Sequence, residues 1–288
     1  MTLPTFLGIG VARGGTTWLH SLLASHPDIY MPTQRKEIRF FDEYYDYGID
    51  WYKSFFPPSE LAVNYRAIGE FSPQYYRCKD CPSRILTSLP NAKLIVSLRH
   101  PVDRAYSHYG FYVQRRNFAG SFEDFLTDQP QVLEQGYYHK YLQRYLQFFE
   151  RERILVMVFE WTVTDVLDTK KSLAEFLNVD VDKFPSSAGG GKVNASKVPK
   201  ARFFYSIAAK MARQLRRWRL DGLVDSVKHL GIERGLHLGK PLPPLNEEKK
   251  EKLSQLYQDD INKLETTLNI DLSCWKKLNG DLSKQNAY

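Results

Sequence analysis

The 288-residue chain contains no run of about 18 apolar residues, so no segment reads as a membrane-spanning helix. Its first residues, Met1-Thr-Leu-Pro-Thr-Phe-Leu-Gly8, lack the basic head, apolar middle and small-residue cleavage site of a secretory leader. These two absences set the expectation of a cytoplasmic protein. Cysteine is scarce: three residues cannot make a disulfide framework. Cys78-Lys-Asp-Cys81 is a lone CxxC, whereas a structural zinc site takes four ligands. Reduced or incidental thiols are therefore expected there, with a local disulfide as the alternative. Internal repeats and clear linkers are also missing, which argues for a single domain over 1–288, its helical C-terminal part from about residue 200 packed on the rest.

What is present suits a folded enzyme. Hydrophobic residues make up 43% and charged residues 25%, enough for a packed core and against disorder. Aromatic residues, at 14%, concentrate between Phe40 and Phe56 and between Tyr106 and Tyr112, where they pad a core or wall a cleft. The net charge of +7 points to an anionic partner: a nucleotide, an acidic polysaccharide, a membrane surface or nucleic acid.

Apolar runs at Phe6–Gly10, Lys93–Leu98 and Ile154–Phe159 read as strands buried on both faces, with a shorter one at Ala67–Gly69. Helical spacing follows over Thr16–Ser25, Pro101–Arg116 and Tyr137–Phe149. Helices between buried strands imply an α/β fold with a central parallel sheet. Ser186–Lys200 is poor in apolar residues and reads as a loop. A basic helix is expected over Ala201–Arg219, and a final helix over Asn246–Leu268.

Two segments carry chemistry. Gly10-Val-Ala-Arg13-Gly14-Gly15-Thr16-Thr17-Trp18 lies between the first strand and the first helix, where backbone N–H groups and the helix dipole favour an anion. Gly10 and Gly15 have the spacing of a nucleoside-triphosphatase loop, but Thr16 stands where that loop carries lysine, and the cation has moved to Arg13. Neither later strand ends in a magnesium-binding aspartate: one runs into Arg99, the other into Glu160. The loop suits phosphate and a donor that needs no metal. In Arg99-His-Pro-Val-Asp-Arg104-Ala-Tyr-Ser107, the arginine closes the second strand and Ser107 follows eight residues later, a pair able to hold a second phosphate. A surface ion pair for Arg99 and a core hydroxyl for Ser107 are the plainer alternatives.

These motifs resemble those of the sulfotransferases that use 3′-phosphoadenosine 5′-phosphosulfate (PAPS). Gly10-x-x-Arg13-Gly-Gly-Thr-Thr-x-Leu19 resembles their 5′-phosphosulfate loop, and Arg99-His-Pro-x-x-Arg104-Ala-x-Ser107-x-Tyr109 their 3′-phosphate motif. Lys36-Glu37-Ile-Arg39-Phe40-Phe41-Asp42, Glu70-Phe-Ser-Pro73-x-Tyr75 and Gly136-Tyr-Tyr138-x-x-x-Leu142 resemble the heparan sulfate branch. The resemblance implies a P-loop-like fold and PAPS as donor. It implies Arg13 at the bridging oxygen, and Gly14, Gly15, Thr16, Thr17 and Trp18 at the 5′-phosphate. Arg99 and Ser107 would take the 3′-phosphate, with Ser196, Lys197 and Lys200 closing over the nucleotide. Glu37 aligns with the catalytic base, and Lys36, Arg39 and Phe71 with acceptor contacts. His20, His100, His108 and His139 are rival bases, since other branches use histidine. A carbohydrate is the leading acceptor, with a lipid or small metabolite behind it; no metal and no nucleic acid are expected. Two departures stand out: the family loop usually carries lysine in place of Arg13, and the heparan branch lysine in place of Phe71. Competing readings are a P-loop kinase or NTPase, and a non-catalytic binder of nucleic acid or acidic polysaccharide built on the Arg213–Arg219 cluster. That cluster also suits peripheral contact with an anionic membrane.

Overall fold

Phe6–Gly10 (β1) is buried at every position and runs through the middle of the sheet. The computed structural model describes residues 1–116, 118–190 and 242–276; the basic helix expected over 201–219 and the residues Ser196, Lys197 and Lys200 lie outside the described residues. The remaining strands are β2 (Ile29–Tyr30), β3 (Ala67–Phe71), β4 (Lys93–Leu98) and β5 (Ile154–Val158). All pairings are parallel, in the order β2-β3-β1-β4-β5. The chain therefore fills one side of β1 first and then the other. The reversal falls between β1 and β4, and the crevice beyond their carboxyl ends is where open α/β sheets bind ligands.

Side chains alternate across the sheet. Leu7, Ile9, Leu94, Val96 and Leu98 join one core cluster, while Phe6, Ile95 and Met157 join another. The second cluster is closed by Trp18, Leu19, Leu22 and Leu23 of α1 (Thr16–Ala24) and by Leu173 and Leu177 of Val166–Leu177. The first is closed by Tyr138, Tyr141, Leu142 and Tyr145 of Tyr138–Leu146 and by Ile261, Leu264 and Leu268 of Gln258–Leu268.

Several expectations change. β3 continues two residues past Gly69, because the carboxylic acid at Glu70 is itself fully buried in the strand. β2 is two residues long and leaves no periodic signal. The last helix is not continuous: Glu247–Ser254 and Gln258–Leu268 are separated by a 3₁₀ turn, Gln255–Tyr257. Tyr257 is drawn fully inside, where its hydroxyl donates to Leu133 O at 2.9 Å and its ring covers Gly136. Its neighbour Leu256 is half exposed. Finally, Cys78 and Cys81 are joined. A 3₁₀ turn at Tyr75–Arg77 and the start of Cys81–Ser88 fold the CxxC back until its Cα atoms are 5.3 Å apart, within disulfide range.

If the C-terminal helices share one cooperative unit with the sheet, Leu264→Ala lowers stability by about 2–5 kcal/mol, the usual cost of a cavity at a fully buried leucine. Urea unfolding should then show a single transition at lower midpoint with unchanged slope. A second transition would separate the helices from the sheet.

Candidate active site

The glycine-rich loop is fastened to β4. Val11 N–H donates to Ser97 O at 2.9 Å, and Ser97 Oγ donates to Gly14 O. A Cβ on Gly14 would lie 2.4 Å from Ser97 O. A Cβ on Gly15, whose φ is 88°, would lie 2.4 Å from the Phe159 ring. No other residue fits either position without displacing a neighbour. Just before them Arg13 holds a left-handed φ of 74°, uncommon for a side-chain-bearing residue. Its Nε donates to Ser107 Oγ at 3.1 Å, and its guanidinium stands 5.6 Å from the Phe111 ring centre. The two anion motifs are thus in direct contact across 94 residues of chain.

Arg99 follows β4 and lies 5.0 Å over the ring of Phe159, the residue that follows β5. Its turn is tied down on both sides. Tyr138 OH donates to Arg99 O at 2.6 Å, and His100 N–H donates to Glu160 Oε1 at 2.8 Å. The other Glu160 oxygen accepts the Trp275 indole N–H at 2.9 Å. From the far side Lys36 Nζ donates to Thr17 Oγ1 at 2.7 Å and stands 3.9 Å from the half-exposed Glu37 carboxylate.

These cations crowd one another. Burial, then the positive charges of Arg99 and Arg115, push the Arg13 guanidinium down to about 10 against the opposing pull of Glu37. Burial also lowers Lys36, with Glu37 opposing and Arg13 adding to the effect. A bound anion relieves both costs, and the helix N-terminus at Thr16 adds a favourable dipole. The donor set suits a group bearing phosphate.

Other sequence-assigned residues lie elsewhere. Trp18 is buried in the core and its indole donates to Gly189 O at 3.3 Å, so it braces the chain after Phe184 rather than facing the loop. Phe71 is fully buried with its ring against Gly8 and edge-on to His20, out of reach of an acceptor. Arg39 is occupied: its guanidinium pairs with Asp42 at 2.6 Å and with Glu43. Burial drives His20 and His100 down to about 4 and His108 to about 3, which makes them weak bases near neutrality. His139 is tied to Thr267 at 3.0 Å.

Two residues escaped the sequence reading as site residues. One is Phe159, whose ring touches both anion segments. The other is Glu70, which supports the Glu37 segment from below. Its carboxyl accepts from Ser72 Oγ at 2.8 Å and Tyr52 OH at 3.4 Å, and Ser72 Oγ in turn accepts the Arg39 N–H at 2.9 Å.

The Sulfotransferase domain family model matches residues 4–195. The chain belongs to the sulfotransferase domain family. Over 140 residues, 46% of its length, it is 39% identical to the membrane-associated sulfotransferase kil1 of Dictyostelium discoideum, covering 30% of that protein. It is 28% identical to the mouse bifunctional heparan sulfate N-deacetylase/N-sulfotransferase 4, over 95% of this chain and 31% of the relative. It is 30% identical to the mouse heparan sulfate glucosamine 3-O-sulfotransferase 3B1, over 74% of this chain and 60% of the relative. The chain thus spans less than a third of the first two and three fifths of the third. A sulfotransferase from Alicyclobacillus acidocaldarius has the same fold, with a TM-score of 0.67 at 23% identity, covering 96% of this chain and all of that one.

The relatives correct the cytoplasmic expectation. It rested on absent leader and spanning segments, yet this family's domain occurs in a membrane-associated protein and within much longer chains. Among the described residues no helix is long and apolar enough to cross a membrane, and that observation does not decide location.

Burial raises the Glu70 carboxyl to about 8, against a carboxylate's usual 4.5, and hydroxyl donors only partly offset this. The folded chain therefore holds a proton that the unfolded chain releases, and stability falls as pH rises from about 4.5 to 8. Glu70→Gln removes this dependence. In thermal melts at a series of pH values, its midpoint is expected to gain on the wild type by a few degrees between about pH 5 and 8. A constant difference would place Glu70's titration elsewhere.

Proposed function

We propose that this single-domain chain transfers a sulfuryl group from PAPS to an acceptor hydroxyl, with a carbohydrate as the leading acceptor class. The observation that carries the reading is the contact between Arg13 and Ser107, which merges a 5′-type phosphate loop with a second anion site beside Arg99. One doubly phosphorylated nucleotide fits two such sites better than a triphosphate does, and the loop has no lysine at the position a kinase or NTPase needs.

The donor, when bound, supplies an activated sulfuryl group whose leaving oxygen gathers negative charge. Positioning and electrostatics are then the protein's contribution. The backbone N–H groups of Gly14 and Gly15 and the hydroxyls of Thr16 and Thr17 bind the 5′-phosphate. Arg13 holds permanent positive charge near the leaving oxygen, with Ser107 fixing its plane. Arg99 and Ser107 bind the 3′-phosphate. Glu37 takes the acceptor's proton: its charge acts on Arg13, it is partly open to solvent, and Lys36 connects it to Thr17. Lys36 thereby belongs to the donor side as much as to the acceptor side. The assignment of Ser196, Lys197 and Lys200 to nucleotide closure rests on the family motif alone. A carbohydrate acceptor is supported by the heparan sulfate relatives and by the basic surplus, which suits an acidic sugar chain.

Calorimetry and a labelled-donor assay across sugars, phenols and lipids test this. The wild type is expected to bind adenosine 3′,5′-bisphosphate. Glu37→Gln should keep that affinity while kcat falls by about 10²–10⁴-fold. Arg13→Ala should lose both binding and transfer. Full activity in Glu37→Gln would remove it as the base, and no uptake of the bisphosphate by the wild type would refute the reading.

A further inference from the structure

The Phe159 ring stands between the two anion segments and touches both. It lies against Gly15, close enough that a Cβ there would sit 2.4 Å from its Cδ2. The Arg99 guanidinium stacks over the ring at 5.0 Å. Its own placement is fixed from two directions. Val158 is paired in register with Leu98, so the next residues, Phe159 and Arg99, emerge side by side from adjacent strands. Glu160 is fastened to His100 N–H and to the Trp275 indole. The ring cannot retreat without unpairing one of these, and it is only half-buried.

One aromatic ring is therefore in contact with both a glycine of the first loop, along its Cδ2–Cε2 edge, and the arginine of the second. A guanidinium packed on an aromatic face is also held in orientation at a cost in freedom already met before ligand arrives. We propose that Phe159 is a positioning residue which fixes the separation of the two anion sites, and so selects nucleotides phosphorylated at both the 5′ and 3′ positions over those bearing one phosphate. This rests on the nucleotide reading above and adds a determinant of donor specificity to it. Smaller side chains would free Arg99 to drift toward Gly15, leaving the first loop able to hold a single phosphate but removing the reward for the second.

Isothermal titration of the whole chain with adenosine 3′,5′-bisphosphate and with adenosine 5′-monophosphate tests the proposal without reference to turnover. The wild type is expected to prefer the bisphosphate by at least about tenfold, the scale of one charge-assisted contact. In Phe159→Ala that preference should shrink to within about threefold, with monophosphate affinity within about threefold of wild type. Phe159→Tyr, which retains the ring, should restore the preference, and Phe159→Leu should fall between; if the alanine variant does not fold, the leucine variant carries the test. An unchanged preference in the leucine and alanine variants would overturn the proposal. So would equal losses for both ligands, which a merely structural role produces. A wild type that binds the bisphosphate no better than the monophosphate would instead refute the underlying donor assignment, and the proposal with it.

Discussion

The bond pattern around Ser97 governs the site. Its carbonyl accepts the Val11 N–H and its hydroxyl donates to Gly14 O, so the loop leaving β1 is pinned on top of β4 two residues before Arg99. The pinning works only because Gly14 has no side chain to strike that carbonyl. From this one attachment the rest follows: Arg13 is turned toward Ser107, Gly15 is pressed on Phe159, and α1 begins with its N-terminus at the crevice. A parallel sheet with its reversal between β1 and β4 supplies the place, and Ser97 supplies the alignment.

That alignment carries an electrostatic cost. Arg13 is half-buried near Arg99 and Arg115, and Lys36 is half-buried near Arg13. A fold that places cations so close, partly out of water, is less stable than it would be without them unless something negative is nearby. Glu37 offsets part of it. The remainder is stored as affinity for an anion, the sense in which a binding site is preorganised at the expense of the empty fold. The lowered Lys36 and the shared pull of Glu37 also mean that the Glu37 carboxylate and the glycine-rich loop are electrostatically linked.

The glycine-rich loop and the Arg99 turn were legible in the sequence as elements because their geometry is local. A strand, five residues of turn and a helix fix the loop wherever they occur, and Arg99 followed from its place at the end of a buried strand. The strands Phe6–Gly10 and Lys93–Leu98 could be read to the residue, since a parallel strand buried on both faces is simply an apolar run. Features that depend on distant packing could not be read. The break before Gln258 exists because Tyr257 must reach Leu133, and the Cys78–Cys81 closure because a 3₁₀ turn precedes it. Trp18 and Phe71 were placed at the site by motif position, which gives a residue's address along the chain but not the direction of its side chain. Phe159 gave no signal at all: an aromatic residue at the end of a strand reads as core.

The acceptor side is built differently. Glu37 and Arg39 sit on an irregular segment with few sheet contacts, held by a relay from the Arg39 N–H through Ser72 to the buried Glu70. Of the three residues that the family pattern assigned to the acceptor, Phe71 is interior and Arg39 is occupied by Asp42 and Glu43, leaving Lys36, which is engaged with Thr17. Where the heparan branch carries a lysine, this chain buries a phenyl ring against Gly8. A charged ammonium could not occupy that apolar position unpaired. The substitution therefore reshapes the strand end instead of swapping one contact for another. Loops on a rigid frame are where such differences accumulate. The local geometry that makes the glycine-rich loop recognisable from sequence therefore does not extend to the Glu37 segment.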